Sequence, residues 1–155
     1  MTRSRGSCGV LFRVLDPFNF YGFEVNIEHG FKRIIKMENG NMSVVKTLND
    51  GGIAQNIWFK VQVEAVKGTF VVRFGEASKF KKYKDAPVVM EFVDVTHVFG
   101  QVGLSTNGND EFYFSDLNII PLICQNRWEV CPLVNVFSNA ASIYHEKWNL
   151  SYKAK

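Results

Sequence analysis

The sequence of 155 residues lacks the features that mark several large classes of protein. No apolar run approaches the about 20 residues that a membrane-spanning helix needs, so no membrane span is expected. The net charge of +3 is too small to predict a nucleic-acid partner, and no known nucleic-acid-binding motif accompanies it. What the chain does have is a hydrophobic fraction of 46%, including 14 Phe. That composition indicates a globular domain with a substantial core.

The beginning of the chain lacks a signal peptide, because Met1–Arg5 lead directly into a first strand that starts by Gly9. A first strand with no linker before it leads us to expect that the chain is a piece of a larger, multidomain protein, with a truncated gene as the alternative. The missing signal peptide then says nothing about the compartment in which the protein works.

Cysteine is scarce, with three in the chain. Cys124 and Cys131 flank a short hydrophilic stretch, and a local disulfide between them would fit an oxidising compartment. Two buried free thiols are the alternative. Cys8 is left over, either free or paired with a cysteine outside this chain. A zinc site is not expected, because the cysteines and the three scattered histidines lack ligand spacing.

Recognisable catalytic motifs are also lacking. Glycoside hydrolysis needs two close carboxylates, but Glu24-Val25-Asn26 has no second acid. Glu91 and Asp94 have odd spacing, which in a regular strand places their side chains on opposite faces. The chain has no Gly-x-Ser-x-Gly nucleophile elbow and no phosphate-binding glycine loop. We therefore predict no catalytic residues and a protein that is not an enzyme.

Short alternating runs separated by turn residues dominate the chain, which is typical of antiparallel β-structure. Between Phe59 and Ala65, apolar residues occupy one face, and Lys60 lies on the other face with the remaining polar residues. Asn39-Gly40 predicts a tight hairpin. The pattern predicts about nine strands up to residue 120, arranged as a sandwich. After them, 138–148 is expected to form a short helix with Ser138 as its N-cap.

Three segments together resemble the concanavalin A-like jelly roll, which is the fold of laminin G-like, pentraxin and legume-lectin domains and also of some glucanases. They are Gly9–Val25, with its Gly-apolar-apolar-Phe-Arg opening, Trp58 with its Val-x-Val hairpin, and Val102–Thr106 followed by Phe114–Leu117. The resemblance implies an all-β jelly-roll sandwich of two antiparallel sheets over residues 1–121. Residues 122–155 would be a C-terminal extension that packs on it.

The same resemblance, with a Lys-, Asn- and Phe-rich composition similar to secreted adhesive proteins of apicomplexan parasites, implies a secreted or cell-surface recognition module. Domains of this type often hold Ca²⁺ at the sandwich rim, and Asn107, Asn109 and Asp110 supply suitable oxygen ligands on one loop. The alternative is that these are ordinary turn residues. Apart from possible Ca²⁺, no cofactor is expected.

The segment 79–84 combines four lysines and two aromatic residues in six positions. Such a patch can bind sulfated glycans or acidic proteins by Coulomb attraction and cation–π contact. The alternative is a solvated connection between two strands. Trp128, in the stretch between Cys124 and Cys131, is the best candidate for an exposed aromatic. Trp58, Tyr21 and Tyr113 lie in strands, and core packing is the expected role for most of them.

The sequence thus predicts a non-catalytic extracellular recognition module that binds glycans, with sulfated glycans among the candidates, or protein partners. A protein-interaction or scaffold domain without glycan binding is one alternative, and a hydrolase of the glucanase-like fold is another. The predicted ligand-binding residues are Lys79, Lys81, Lys82, Tyr83, Lys84 and Trp128.

Overall fold

The computed structural model describes residues 6–108, 112–123 and 130–139, which form ten strands and two short 3-10 turns. The 3-10 turns, Ala77–Lys79 and Tyr83–Asp85, both lie in the connection between β6 and β7. The strands are β1 Gly6–Asp16, β2 Asn19–Asn26, β3 Phe31–Glu38, β4 Asn41–Leu48, β5 Trp58–Val66, β6 Thr69–Glu76, β7 Val88–Val93, β8 Gln101–Gly108, β9 Tyr113–Ile123 and β10 Val130–Asn139. Within these ranges, neither helical turn is long and apolar enough to cross a membrane.

The strands form two five-stranded antiparallel sheets. The first sheet has the order β4-β3-β2-β1-β8, and the second has the order β7-β6-β5-β10-β9. The all-β sandwich that the sequence predicts is therefore confirmed. The predicted hairpin turn is confirmed as well, since Asn39 and Gly40 have φ values of 51° and 79°.

The core between the sheets is built around stacked aromatic rings. Tyr21 from the first sheet is fully buried, with its ring centroid 5.1 Å from that of Phe70 in the second sheet. Phe70 in turn stacks on Phe92 at 4.6 Å. The inward residues of β5 are Phe59, Val61, Val63 and Ala65, as the alternation predicts.

Arg13 ties β1 to the second sheet. Its backbone takes a positive φ of 53°, and its buried guanidinium lies 5.9 Å from the centroid of Phe70. The guanidinium donates hydrogen bonds to the carbonyls of Ala65, at 3.4 Å, and Lys67, at 3.2 Å. A buried charge is tolerated only when it is hydrogen-bonded, so these carbonyls fix how the two sheets meet.

Strand β10 is the element that the sequence did not predict. It pairs with β5 from Leu133 to Asn139 and with β9 on its other side, so it lies inside the second sheet. Pro132 argues against a strand at this position in the sequence, because proline donates no hydrogen bond to a neighbouring strand. The structure accommodates it before the pairing with β5 begins.

The expected division at residue 121 does not coincide with the end of the sandwich. Strand β9 runs through Pro121, and the described part of the predicted extension belongs to the second sheet. The predicted helix from Ser138 is wrong at its start, since Ser138 pairs with Phe59 and Phe114 as a strand residue. The rest of that segment, 140–148, lies outside the described residues.

A polar network attaches the β7–β8 connection to the first sheet. The hydroxyl of Tyr21 donates to Asp94 Oδ1 at 2.6 Å, and the backbone N–H of Thr96 donates to the same oxygen at 2.8 Å. Lys36 Nζ lies 3.2 Å from Asp94 Oδ2, and His97 Nε2 lies 2.8 Å from the carbonyl oxygen of Met37. Burial raises the pKa of Asp94, but the hydrogen bonds from Thr96 and Tyr21 outweigh it and hold that pKa well below its usual range.

We predict that Asp94→Asn destabilises the protein by about 1–3 kcal/mol at neutral pH. Because folding lowers the pKa of Asp94, its contribution is present above the unfolded value of about 4 and is lost as the pH falls. Urea unfolding of both proteins from pH 7 to pH 3 should show the difference in unfolding free energy shrinking below about pH 4. Asp85→Asn, at an exposed carboxylate, is the control, and an Asp94 effect that is independent of pH would contradict the charge-based account.

Candidate functional site

The basic segment 79–84 lies against the outer face of the second sheet. Lys60, which is 8% exposed, points outward from β5. Its ammonium group donates to the carbonyl oxygens of Phe80 and Lys81, the second at 3.0 Å. At the far end of the connection, Arg73 donates to the carbonyl of Ala86 at 3.2 Å. Side chains of the sheet therefore hold the segment by its backbone, which leaves its own lysines on the solvent side.

The predicted ligand-binding lysines share an exposed surface but differ in their partners. Lys79 forms an ion pair with Glu76 at 2.7 Å. Lys81, Lys82 and Lys84 are exposed, and none of them forms an ion pair with any residue in the described part of the chain. Three exposed cations therefore remain for an anionic ligand.

Tyr83 faces the sheet more than the solvent. It is half-buried, and its ring centroid lies 5.9 Å from the ammonium of Lys60, which is a cation–π distance. Burial, together with the nearby carboxylate of Asp116, raises the pKa of Tyr83 to about 12. Asp116 belongs to β9, so the basic segment reaches the neighbourhood of that strand.

A shallow pocket of about 500 Å³ opens beside the basic segment. Three parts of the chain form the pocket. They are the residues that lead into β5, the end of β6 with the first 3-10 turn, and the residues around Asp116 in β9. Asn56 and Asp116 have φ values of 60° and 55°, so left-handed backbone shapes two of these walls. The lining residues are Asn56, Ile57, Trp58, Glu76, Ala77, Ser78, Ser115 and Asp116.

The pocket combines one aromatic ring with a polar wall. Trp58 is 40% exposed, so part of its indole can contact a ligand. Glu76 accepts hydrogen bonds from Lys79 and Ser78, and these lower the pKa of Glu76 and keep it ionised. Asp116 supplies a second carboxylate, and Asn56 an amide. Such acceptors and donors beside an indole suit a ligand that is rich in hydroxyl groups.

Sequence reasoning expected core packing for most of three strand aromatics, and only Tyr21 is buried. Trp58 and Tyr113 are 40% and 39% exposed. The alternation of β5 predicts the exposure of Trp58, because Trp58 lies on the same face of the strand as Lys60 and opposite to buried Phe59. Tyr113 similarly lies between Phe112 and Phe114, which pack on the core.

The other predicted sites are placed only in part. Asn107 is an exposed residue of β8, whereas Asn109 and Asp110 lie outside the described residues. Within the described ranges no three His, Cys, Asp or Glu side chains are grouped to hold a metal ion, and calcium stays a prediction. Asp50, on another loop with oxygen ligands, forms an ion pair with Lys32, whose Nζ lies 2.6 Å from Asp50 Oδ1.

The predicted disulfide between Cys124 and Cys131 stays a prediction. Cys131 falls in β10, while Cys124 and Trp128 lie outside the described residues. Cys8 is a free, buried thiol. Burial, with a smaller contribution from Glu24, raises the pKa of Cys8 to about 12, which disfavours the reactive thiolate form.

By its fold the chain is a β-sandwich domain. No protein-family model matches the sequence, and no curated protein matches it. The fold is similar to the solved structure described as carbohydrate binding module CBM66 from Bacillus subtilis, with a TM-score of 0.52 and 19% identity. The match covers 91% of this chain and 66% of that chain. This similarity supports the sandwich fold, while membership of a laminin G-like or concanavalin A-like family stays a prediction.

We predict that Lys60→Met releases the basic segment from the sheet, because the methionine side chain cannot donate to the two backbone carbonyls. Trypsin should then cleave after Lys81, Lys82 and Lys84 at least about tenfold faster than in the native protein, as local opening costs less. Lys46→Met is the matched control, since exposed Lys46 also donates to a backbone carbonyl, that of Glu91. Equal cleavage rates in all three proteins would show that Lys60 does not anchor the segment.

Proposed function

We propose that this chain is a non-catalytic module that binds a glycan in the pocket beside Trp58. The main support for glycan binding is the indole of Trp58, which is 40% exposed and lies in a pocket with two carboxylates, an amide and two hydroxyl groups. Hydroxyl-rich ligands need acceptors and donors placed around an apolar ring face, and this pocket offers both. The structural similarity to a carbohydrate-binding module points in the same direction.

The exposed lysines give the proposal its finer ligand class. Lys81, Lys82 and Lys84 lie on the basic segment next to the pocket, so an acidic or sulfated substituent on the glycan would meet them. Lys79 contributes less than the sequence predicts, because Glu76 already neutralises it. The pocket itself takes the neutral part of the sugar, and the basic segment adds a salt-dependent attraction.

The charge of Glu76 favours a hydrogen-bonding role for this carboxylate over that of a general acid. A hydrolase of this kind needs one carboxyl group that carries a proton near neutral pH. Glu76 is instead held ionised by Lys79 and Ser78, so it serves as a hydrogen-bond acceptor. In this proposal the module works outside the cell or at its surface, as one part of a larger protein.

A protein partner is the second candidate, supported by a different surface. Val93, Val95 and Phe99 are 74%, 70% and 69% exposed, near or within the β7–β8 connection that the Asp94 network holds in place. Exposed apolar side chains close together in the sequence of one connection are candidates for a protein contact site. Loss of binding to a partner in the Phe99→Ala variant, without loss of glycan binding, would separate this role from the first.

We predict that Trp58→Ala weakens glycan binding at least about tenfold, because the loss of about 1.4 kcal/mol from a central aromatic contact lowers affinity by that factor. Affinity electrophoresis against soluble starch, xylan, galactomannan, inulin and heparin measures this for the native and variant proteins. Phe18→Ala is the matched control, since Phe18 is 62% exposed in the turn between β1 and β2.

The same gels test the finer assignments. Changing Lys81, Lys82 and Lys84 together to Ala should reduce retention by heparin and its dependence on salt, with little effect on neutral polysaccharides. Binding that disappears with EDTA would favour the predicted calcium ligands Asn107, Asn109 and Asp110 over the pocket. Retention by none of the five polysaccharides would overturn the proposed function.

A further inference from the structure

Two exposed aromatic residues share one row of the second sheet. Asn139 in β10 pairs with Trp58 in β5 and, on its other side, with Tyr113 in β9. Directly paired residues of antiparallel strands place their side chains on the same face of the sheet. Trp58 and Tyr113 therefore lie on one face, separated by a single intervening strand.

The burial of neighbouring residues identifies this face independently. Phe59 next to Trp58, and Phe112 and Phe114 on either side of Tyr113, pack toward the core. Alternation then directs Trp58 and Tyr113 away from the core, in agreement with their exposures of 40% and 39%. The face is the outer one, on which the basic segment also lies.

The row is continuous with the pocket. Ser115, two residues after Tyr113 along β9, shares its face and lines the pocket together with Asp116. Ser115 lies in the next row of the sheet, which contains Lys60, so the pocket reaches β9 within two residues of Tyr113.

The spacing of the two aromatic residues sets the size of the ligand. Adjacent strands are about 4.8 Å apart, so residues on β5 and β9 are about 10 Å apart across β10. One sugar ring cannot stack on both side chains at that distance. We propose, building on the proposed function, that Tyr113 is a second stacking site and that the ligand is an oligosaccharide of at least two sugars lying across β5, β10 and β9.

Tyrosine and tryptophan suit this role because both offer a large rigid contact area at a low cost in conformational entropy. The two sites would bind different parts of the oligosaccharide. The Trp58 pocket, with its carboxylates and amide, recognises one sugar by its hydroxyl groups, and Tyr113 adds contact with the next part of the chain. Affinity then rises with oligosaccharide length until both rings are covered.

Calorimetric titration with size-fractionated oligosaccharides of one to six sugars, prepared from whichever of the five polysaccharides binds the native protein, tests the proposal. Tyr113→Ala should weaken binding of the tetrasaccharide about tenfold and that of the monosaccharide less than about threefold. Tyr113→Phe keeps the ring and should bind like the native protein, whereas Trp58→Ala should weaken binding at every length. Tyr113→Gln serves as a second variant if the alanine variant fails to fold.

The outcomes separate this inference from the proposed function. If Trp58→Ala abolishes binding while Tyr113→Ala and Tyr113→Gln leave the tetrasaccharide affinity unchanged, the pocket stands and the second stacking site is overturned. Equal loss at all lengths in the Tyr113 variants would also overturn it, since Tyr113 would then act within the pocket. If no polysaccharide binds the native protein, both proposals fail.

Discussion

The candidate site depends on the hydrogen bonds that the ammonium group of Lys60 donates to the basic segment. A buried charge is costly unless several partners compensate it. Here the compensation comes from the carbonyl oxygens of Phe80 and Lys81 and from the ring of Tyr83. Because these partners belong to the β6–β7 connection, Lys60 anchors the basic segment on the sheet, and Arg73 holds the far end of the connection at Ala86. The position of the connection in turn sets where the exposed lysines point and where the neighbouring pocket has its wall.

The ion pair between Glu76 and Lys79 divides the charge of the site into two zones. It pairs the most N-terminal lysine of the basic segment with Glu76 of the pocket wall and leaves Glu76 ionised, with Ser78 as a further partner. The pocket is thereby a zone of acceptors beside an indole, while Lys81, Lys82 and Lys84 form a separate zone that acts over a longer range and is screened by salt. Neutral and anionic parts of one glycan would be met by different parts of the same connection.

Local pattern predicts much of this fold and little of the site. Alternation identifies the inward face of β5, and Asn39-Gly40 identifies the hairpin between β3 and β4, since both depend on neighbouring residues alone. The same alternation separates Trp58 and Tyr113 from the core. Pro132 argues against strand β10 in the sequence, but in the structure it pairs with Pro121 of β9, and pairing with β5 starts one residue later. The pocket joins segments near 56, 76 and 115, and no local pattern reports contacts between residues so far apart in the chain.

The most direct test of the account is the side-chain N–H signal of Trp58 in a two-dimensional NMR spectrum, followed while tetrasaccharides from the binding polysaccharide are added. The chain has three tryptophans, Trp58, Trp128 and Trp148, so each indole reports separately. Glycan binding in the pocket predicts a saturable shift of the Trp58 indole, with a shift of the Tyr113 ring signals at the same ligand concentrations. A shift confined to Trp128, with Trp58 unchanged at saturation, would contradict it and place the binding site elsewhere.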